Sequence, residues 1–100
     1  MNININNSNG VTTANLEGRL DTPASTEVAP CFEQLKEAAG GTVVLDCSKL
    51  SYISSSGLRL FLALRKETSV KGGKVIVRNI SDNIRQVFMM TGFLNMFEIQ

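Results

Sequence analysis

Three hydroxyl side chains in a row, Ser54, Ser55 and Ser56, stand directly before Gly57. They follow the run Leu45-Asp46-Cys47-Ser48-Lys49-Leu50-Ser51-Tyr52-Ile53 and lead into Leu58-Arg59, a strand-to-helix transition. The tip of such a segment lies beyond the carboxyl end of a strand, where open α/β sheets place their functional groups. A serine there can cap the helix, meet a partner, or act as a nucleophile. The sequence closes the last option. A nucleophile elbow needs glycine two residues before the serine, where this chain has Ser54, and the chain has no histidine to take the proton. One capping serine explains itself, whereas three followed by a glycine ask for more than a cap.

The absence of histidine also excludes a Ser-His-Asp triad, a Cys-His pair and the zinc sites that use imidazole. Cys31 and Cys47 form no C-x-x-C and read as small buried apolar residues. Gly40-Gly41 and Gly72-Gly73 belong to neither G-x-G-x-x-G nor a Walker motif, so each reads as a turn and no nucleotide site is expected. No metal or other cofactor is implied. Ten Lys plus Arg against nine Asp plus Glu leave a net charge of +1, too little to mark a nucleic-acid or anionic-membrane footprint. The start Met1-Asn2-Ile3-Asn4 has no basic leader with an apolar run, and no stretch of about 18 apolar residues occurs. The expectation is a cytoplasmic protein without membrane insertion and without direct nucleic-acid contact.

The elements that must hold the serine tip are readable in outline. Residues 1–100, 43% hydrophobic and 19% charged, fit one soluble domain. At this size a folded chain buries roughly 60–70% of its unfolded surface, enough for a core without staples. Ile3 and Ile5 alternate with Asn2, Asn4 and Asn6, then Asn7 to Gly10 turn the chain into Val11 to Leu16, an opening hairpin. Gly18 to Pro23 break that strand, with Thr22 as N-cap and Pro23 in the first helical turn. Ala24, Val28, Cys31, Phe32, Leu35 and Ala38 then share one helical stripe, with Pro30 expected to kink or restart it. Thr42 to Asp46 is a continuous apolar run, read as a central strand covered on both faces. A helix from Leu58 to Glu67, a strand from Lys74 to Arg78, a helix capped by Ser81 through Met90, and a short strand at Phe97 to Ile99 complete the order β-β-α-β-α-β-α-β. Two strand-helix-strand crossovers imply a mostly parallel sheet with an antiparallel N-terminal hairpin and flanking helices.

The helix after the tip is unusually apolar. Leu60, Leu64 and Phe61 cover one arc and Leu58 and Leu62 an adjoining one, with Arg59, Lys66 and Glu67 as a narrow polar strip. Either a neighbouring helix, the third, covers what a sheet face cannot, or part of the arc is an interaction surface. At this point the stretch Leu45 to Lys66, with Asp46-Cys47-Ser48, Leu50, Tyr52-Ile53 and Ser55-Ser56-Gly57-Leu58, resembles the signature loop of the STAS domain proteins, the bacterial anti-sigma factor antagonists. Gly18-Arg19-Leu20-Asp21 with Ala24 resembles the ending of that family's second strand, and Ile84, Val87, Phe88, Gly92 and Phe93 its third helix.

The resemblance implies a phosphorylation switch rather than an enzyme. In the family, an anti-sigma factor that is also a serine kinase modifies the hydroxyl directly before the glycine, which is Ser56 here, and a metal-dependent phosphatase reverses it. The unmodified antagonist binds the anti-sigma factor and frees a sigma factor for transcription. The partner surface so implied comprises Tyr52, Ser54, Ser55, Gly57, Leu58 and Arg59, with Asp21 beside it. Gly57 would serve through its backbone angles or by letting a partner approach. Family members commonly carry Asp two residues before the phosphorylated position, and this chain has Ser54. That difference leaves a second reading, a non-phosphorylated STAS scaffold subunit of a stress-signalling or lipid-transport complex.

Overall fold

The alternating Asn and Ile residues form strand β1 (Asn2–Ser8), and Asn9 and Gly10, with φ of 54° and 79°, make a two-residue turn of the kind that matches strand twist. The chain returns as β2 (Val11–Leu20), enters helix α1 (Thr22–Glu37), and continues through β3 (Thr42–Ile53), α2 (Ser55–Lys71), β4 (Lys74–Arg78) and α3 (Asp82–Thr91). A single 3₁₀ turn at Phe93–Asn95 leads to β5 (Glu98–Ile99). The computed structural model describes all residues from 1 to 100. The five strands lie in chain order, β1-β2-β3-β4-β5, with β1 antiparallel to β2 and every later pair parallel. Fold class and element order are those expected from the sequence.

Because each crossover steps in the same direction across the sheet and is right-handed, all three helices fall on one face. The core lies between that face and the helices. Ala14, Leu16, Val43, Leu45, Val75 and Val77 supply the sheet side, and Val28, Phe32, Leu35, Leu58, Phe61, Leu64, Ile84 and Phe88 the helix side. Phe61 is its centre, with ring centroids of Phe32, Phe88 and Phe97 at 5.8, 6.1 and 6.4 Å. The broad apolar arc of α2 is thereby explained: α1 packs along it, Phe88 of α3 meets Phe61, and Leu60 and Leu62 lie half-buried against the core.

Several expectations need correction. The second face of β3 carries no helix; Val44 and Ile76 are buried on it as cross-strand neighbours within a polar surround that includes the row Asn15, Asp46 and Arg78. The N-cap of α1 is Asp21, since a carboxylate one residue earlier reaches the Ala24 N–H, and Thr22 is the first helical residue. β2 runs past Leu16 to Leu20, with Gly18 at φ 109° accommodating its twist, and β3 runs past Asp46 to Ile53. Parallel pairing carries both extensions, with two register shifts that no local pattern announces. α2 starts at Ser55 rather than Leu58. Pro30 sits inside α1 without restarting it, its ring on the exposed side. Cys47 is buried as expected, whereas Cys31 is only half-buried.

Candidate functional site

Two strand-to-helix junctions meet at the carboxyl edge of β2 and β3. Leu20 and Ile53 are register partners, and the Ser54 N–H donates to the Leu20 carbonyl at 2.9 Å, so the chains leave the sheet side by side. The next residue on each chain caps a helix. Asp21 Oδ1 accepts from the Ala24 N–H at 3.0 Å, and Ser54 Oγ accepts from the Gly57 N–H at 3.2 Å. Two helix N-termini therefore present their positive ends at one edge.

The serines of the tip divide by role. Ser54 is 9% exposed and spent on the cap, its hydroxyl in the N-cap place that the Asp21 carboxylate fills on the neighbouring helix. Ser55 is exposed and Ser56 half-buried. The backbone N–H groups of both precede the first intrahelical bond, which runs from the Leu58 N–H to the Ser54 carbonyl at 2.9 Å. No acidic side chain occupies the first turn of α2, so nothing in that turn opposes an anion.

Gly57 and Leu58 face inward. A Cβ on Gly57 would lie 2.7 Å from Leu20 Cγ and 2.9 Å from Ile53 Cγ1, while its φ is an ordinary helical one. The glycine lets α2 approach the strand ends; neither special backbone angles nor an outside surface is the reason. Leu58 belongs to the core cluster. The structure thus gathers Asp21, Ser55, Ser56, Tyr52 and Arg59 at or near the surface of this edge and places Ser54, Gly57 and Leu58 beneath it as supports.

One member was missed from the sequence. Arg19, the register partner of Tyr52, holds its guanidinium carbon 4.4 Å from the centre of the Tyr52 ring, a cation–π stack on the open face. Tyr52 stays 41% exposed. The signal was invisible because the pair depends on the register shift between Gly18 and Arg19. The Ser51 hydroxyl fills that irregularity by donating to the Gly18 carbonyl at 3.1 Å.

Two titratable groups on β3 are perturbed. Burial tends to raise Asp46, but hydrogen bonds from Ser48 and Asn79 and the Arg78 charge outweigh it and hold the carboxyl below its ordinary range. Burial, with the Asp46 charge second, pushes the Cys47 thiol up to about 12, so it stays protonated and unreactive. No helix is long and apolar enough to cross a membrane.

A one-faced helical layer on a sheet wound in chain order, with two capped helix N-termini side by side at one sheet edge, defines the class by its fold. Residues 2–100 match the STAS domain, and the chain belongs to that family. It is similar to the candidate anti-sigma factor antagonist BtrV of Bordetella bronchiseptica, 27% identical over 99 residues that cover 99% of this chain and 85% of the relative. It is 24% identical over 83 residues to the anti-sigma-B factor antagonist of Listeria monocytogenes, covering 83% of this chain and 73% of that protein. Among solved structures, the anti-sigma factor antagonist SpoIIAA in its unphosphorylated form superposes with a TM-score of 0.76 at 22% identity, over 99% of this chain and 87% of SpoIIAA. The phosphorylated form of the Bacillus protein gives 0.75 at 23% identity, over 99% and 91%.

Proposed function

We propose that this STAS domain is an anti-sigma factor antagonist whose binding is switched off by phosphorylation of Ser56, acting on sigma-factor-dependent transcription without catalysis of its own. The observation that carries the reading is the position of Ser56: a half-buried hydroxyl in the first turn of α2, beside unengaged backbone N–H groups and with no carboxylate in that turn. A phosphate there adds roughly −1.5 to −2 charges where the helix dipole tolerates them, so the domain stays folded. The same charge in a docked interface must be desolvated, so the partner leaves. Names of relatives support the partner class, and SpoIIAA, known in phosphorylated and unphosphorylated forms, supports the switch. The partners are an anti-sigma factor with serine kinase activity and a phosphatase, and the place of action is the cytoplasm. Asp21, Tyr52, Ser55 and Arg59, joined by Arg19, form the contact surface, which Ser54, Gly57 and Leu58 shape from below.

The test immobilises the wild-type chain, Ser56→Ala and Ser56→Asp and measures retention of the anti-sigma factor from a soluble extract of the source cell, with and without ATP. Phosphopeptide mapping should find phosphate on Ser56 and none on Ser54. Ser56→Ala should retain the partner and take no phosphate, while Ser56→Asp should bind about tenfold more weakly or worse. Equal retention by all three, with no phosphate from Ser54 to Ser56, establishes the scaffold reading instead, which Ser54 in place of the family carboxylate favours.

A further inference from the structure

We propose that two copies of this chain pair through β1, antiparallel about a two-fold axis at Asn4, so that two five-stranded sheets become one. Residues 2–6, Asn-Ile-Asn-Ile-Asn, read the same in both directions. Antiparallel pairing reverses the partner, so an axis at Asn4 sets Ile3 against Ile5, Asn2 against Asn6, and Asn4 against its own copy. In register, Ile3 and Ile5 lie beside Leu16 and Ala14 on the helix-covered face, and the asparagines point to the open face. Apolar side chains therefore meet apolar ones and amides meet amides, the self-complementarity that a two-fold interface requires.

The edge is also free and correctly wired. β1 has β2 on one side and no strand on the other, and the end of α1, at Gln34, Glu37 and Ala38, lies across a groove from Ile5 and Asn7. Ser8 and Val11 flank the two-residue turn, so Asn2, Asn4, Asn6 and Ser8 direct their backbone groups to β2. Ile3 and Ile5 then direct theirs outward. Under the proposed axis each Ile3–Ile5 pair exchanges two backbone hydrogen bonds, and the two Asn4 side chains face each other at the closer non-hydrogen-bonded position.

Nothing guards this edge against such pairing. β1 has no charged side chain, no proline and no register shift, the usual devices that keep edge strands apart. The opposite edge is protected: β5 is two residues long and carries Glu98, which reaches Lys74 at 3.6 Å. Ile3 and Ile5, half-buried in one copy, complete their burial in the pair. The serine tip lies at the ends of β2 and β3, away from the seam, so each copy keeps its site free.

Sedimentation equilibrium of the full chain from micromolar to millimolar concentration, with hydrogen exchange at individual amides, tests this. The wild type should dimerise, with the Ile3 and Ile5 amides slowed in the dimer, and should remain dimeric in 1 M salt because the seam is uncharged. Asn4 is exposed, so Asn4→Lys and Asn4→Glu should leave the circular dichroism unchanged. Each alone should weaken dimerisation about tenfold by opposing like charges on the axis, while an equimolar mixture should restore it as a heterodimer that salt weakens. A wild type monomeric up to millimolar, an Asn4→Lys dimer as tight as the wild type, or Ile3 and Ile5 amides that exchange alike in monomer and dimer would each overturn the proposal.

Discussion

Asp21 and Ser54 hold the same place in two neighbouring strand-to-helix junctions, and the three residues that follow them make those junctions chemically unlike. After Asp21 come Thr22, Pro23 and Ala24; after Ser54 come Ser55, Ser56 and Gly57. At the first junction a carboxylate already neutralises the helix end, and proline removes both a backbone N–H and a hydroxyl from the second helical position. At the second, a neutral hydroxyl does the capping and Ser56 keeps its hydroxyl and its N–H where Pro23 has neither. The two are braced differently as well, because Ala24 fits beneath α1 while a methyl group on Gly57 would strike Leu20 and Ile53. One junction is a finished structural corner. The other has the same scaffold with its charge left open, and an added charge would change it most.

The largest expected effect comes from exchanging the bracing residues. Gly57→Ala should lose up to about 2 kcal/mol, overpacking of about 1–3 kcal/mol outweighing the helix-propensity gain of about 1 kcal/mol, and stay folded. Ala24→Gly should also destabilise, by about 1 kcal/mol, through backbone entropy and lost burial. Urea titration of both variants reads this, and a stabilised Gly57→Ala would break the contrast. Next, Asp21→Ala should lose about 1 kcal/mol of capping, a fall in Tm of about 4–8 °C for a domain of this size. An unchanged Tm would show that the carboxylate is not what finishes the first corner. The smallest effect is expected from Ser54→Asp, which makes the caps alike and should stabilise by about 0.3–0.5 kcal/mol at low ionic strength, the gain shrinking with salt. A salt-independent change would place its origin outside the helix dipole.

Junction residues also show what a sequence reveals. The serine tip, its position at the start of α2, and the buried runs Val43 to Leu45 and Val75 to Val77 follow from local chemistry and stand where that chemistry puts them, while the turn expected over Asn7 to Gly10 tightens to Asn9-Gly10 because Asn7 and Ser8 pair with β2. Features that depend on pairing over distance did not show. The extension of β3 to Ile53, the Arg19–Tyr52 stack and the reason for Gly57 arise from register between β2 and β3, set by contacts some thirty residues apart along the chain. The open second face of the sheet is likewise a property of winding direction. A run such as Val43-Val44-Leu45 looks doubly covered because strand neighbours bury Val44 without a second helical layer.

That winding direction has a consequence for how the chain is made. Since the spatial order of the strands repeats their order along the chain, every element emerging from the ribosome finds its docking surface already synthesised. β2 closes on β1 through a tight turn, α1 and β3 add to β2, and the remaining units follow one by one, with no strand waiting for a later segment to be inserted beside it. Translation proceeds at about 5–20 residues per second, slower than hairpin and loop closure by orders of magnitude. Each strand can therefore sample its pairing as soon as it leaves the exit tunnel, and the order is secured once enough of the sheet and its helices are present to bury a core.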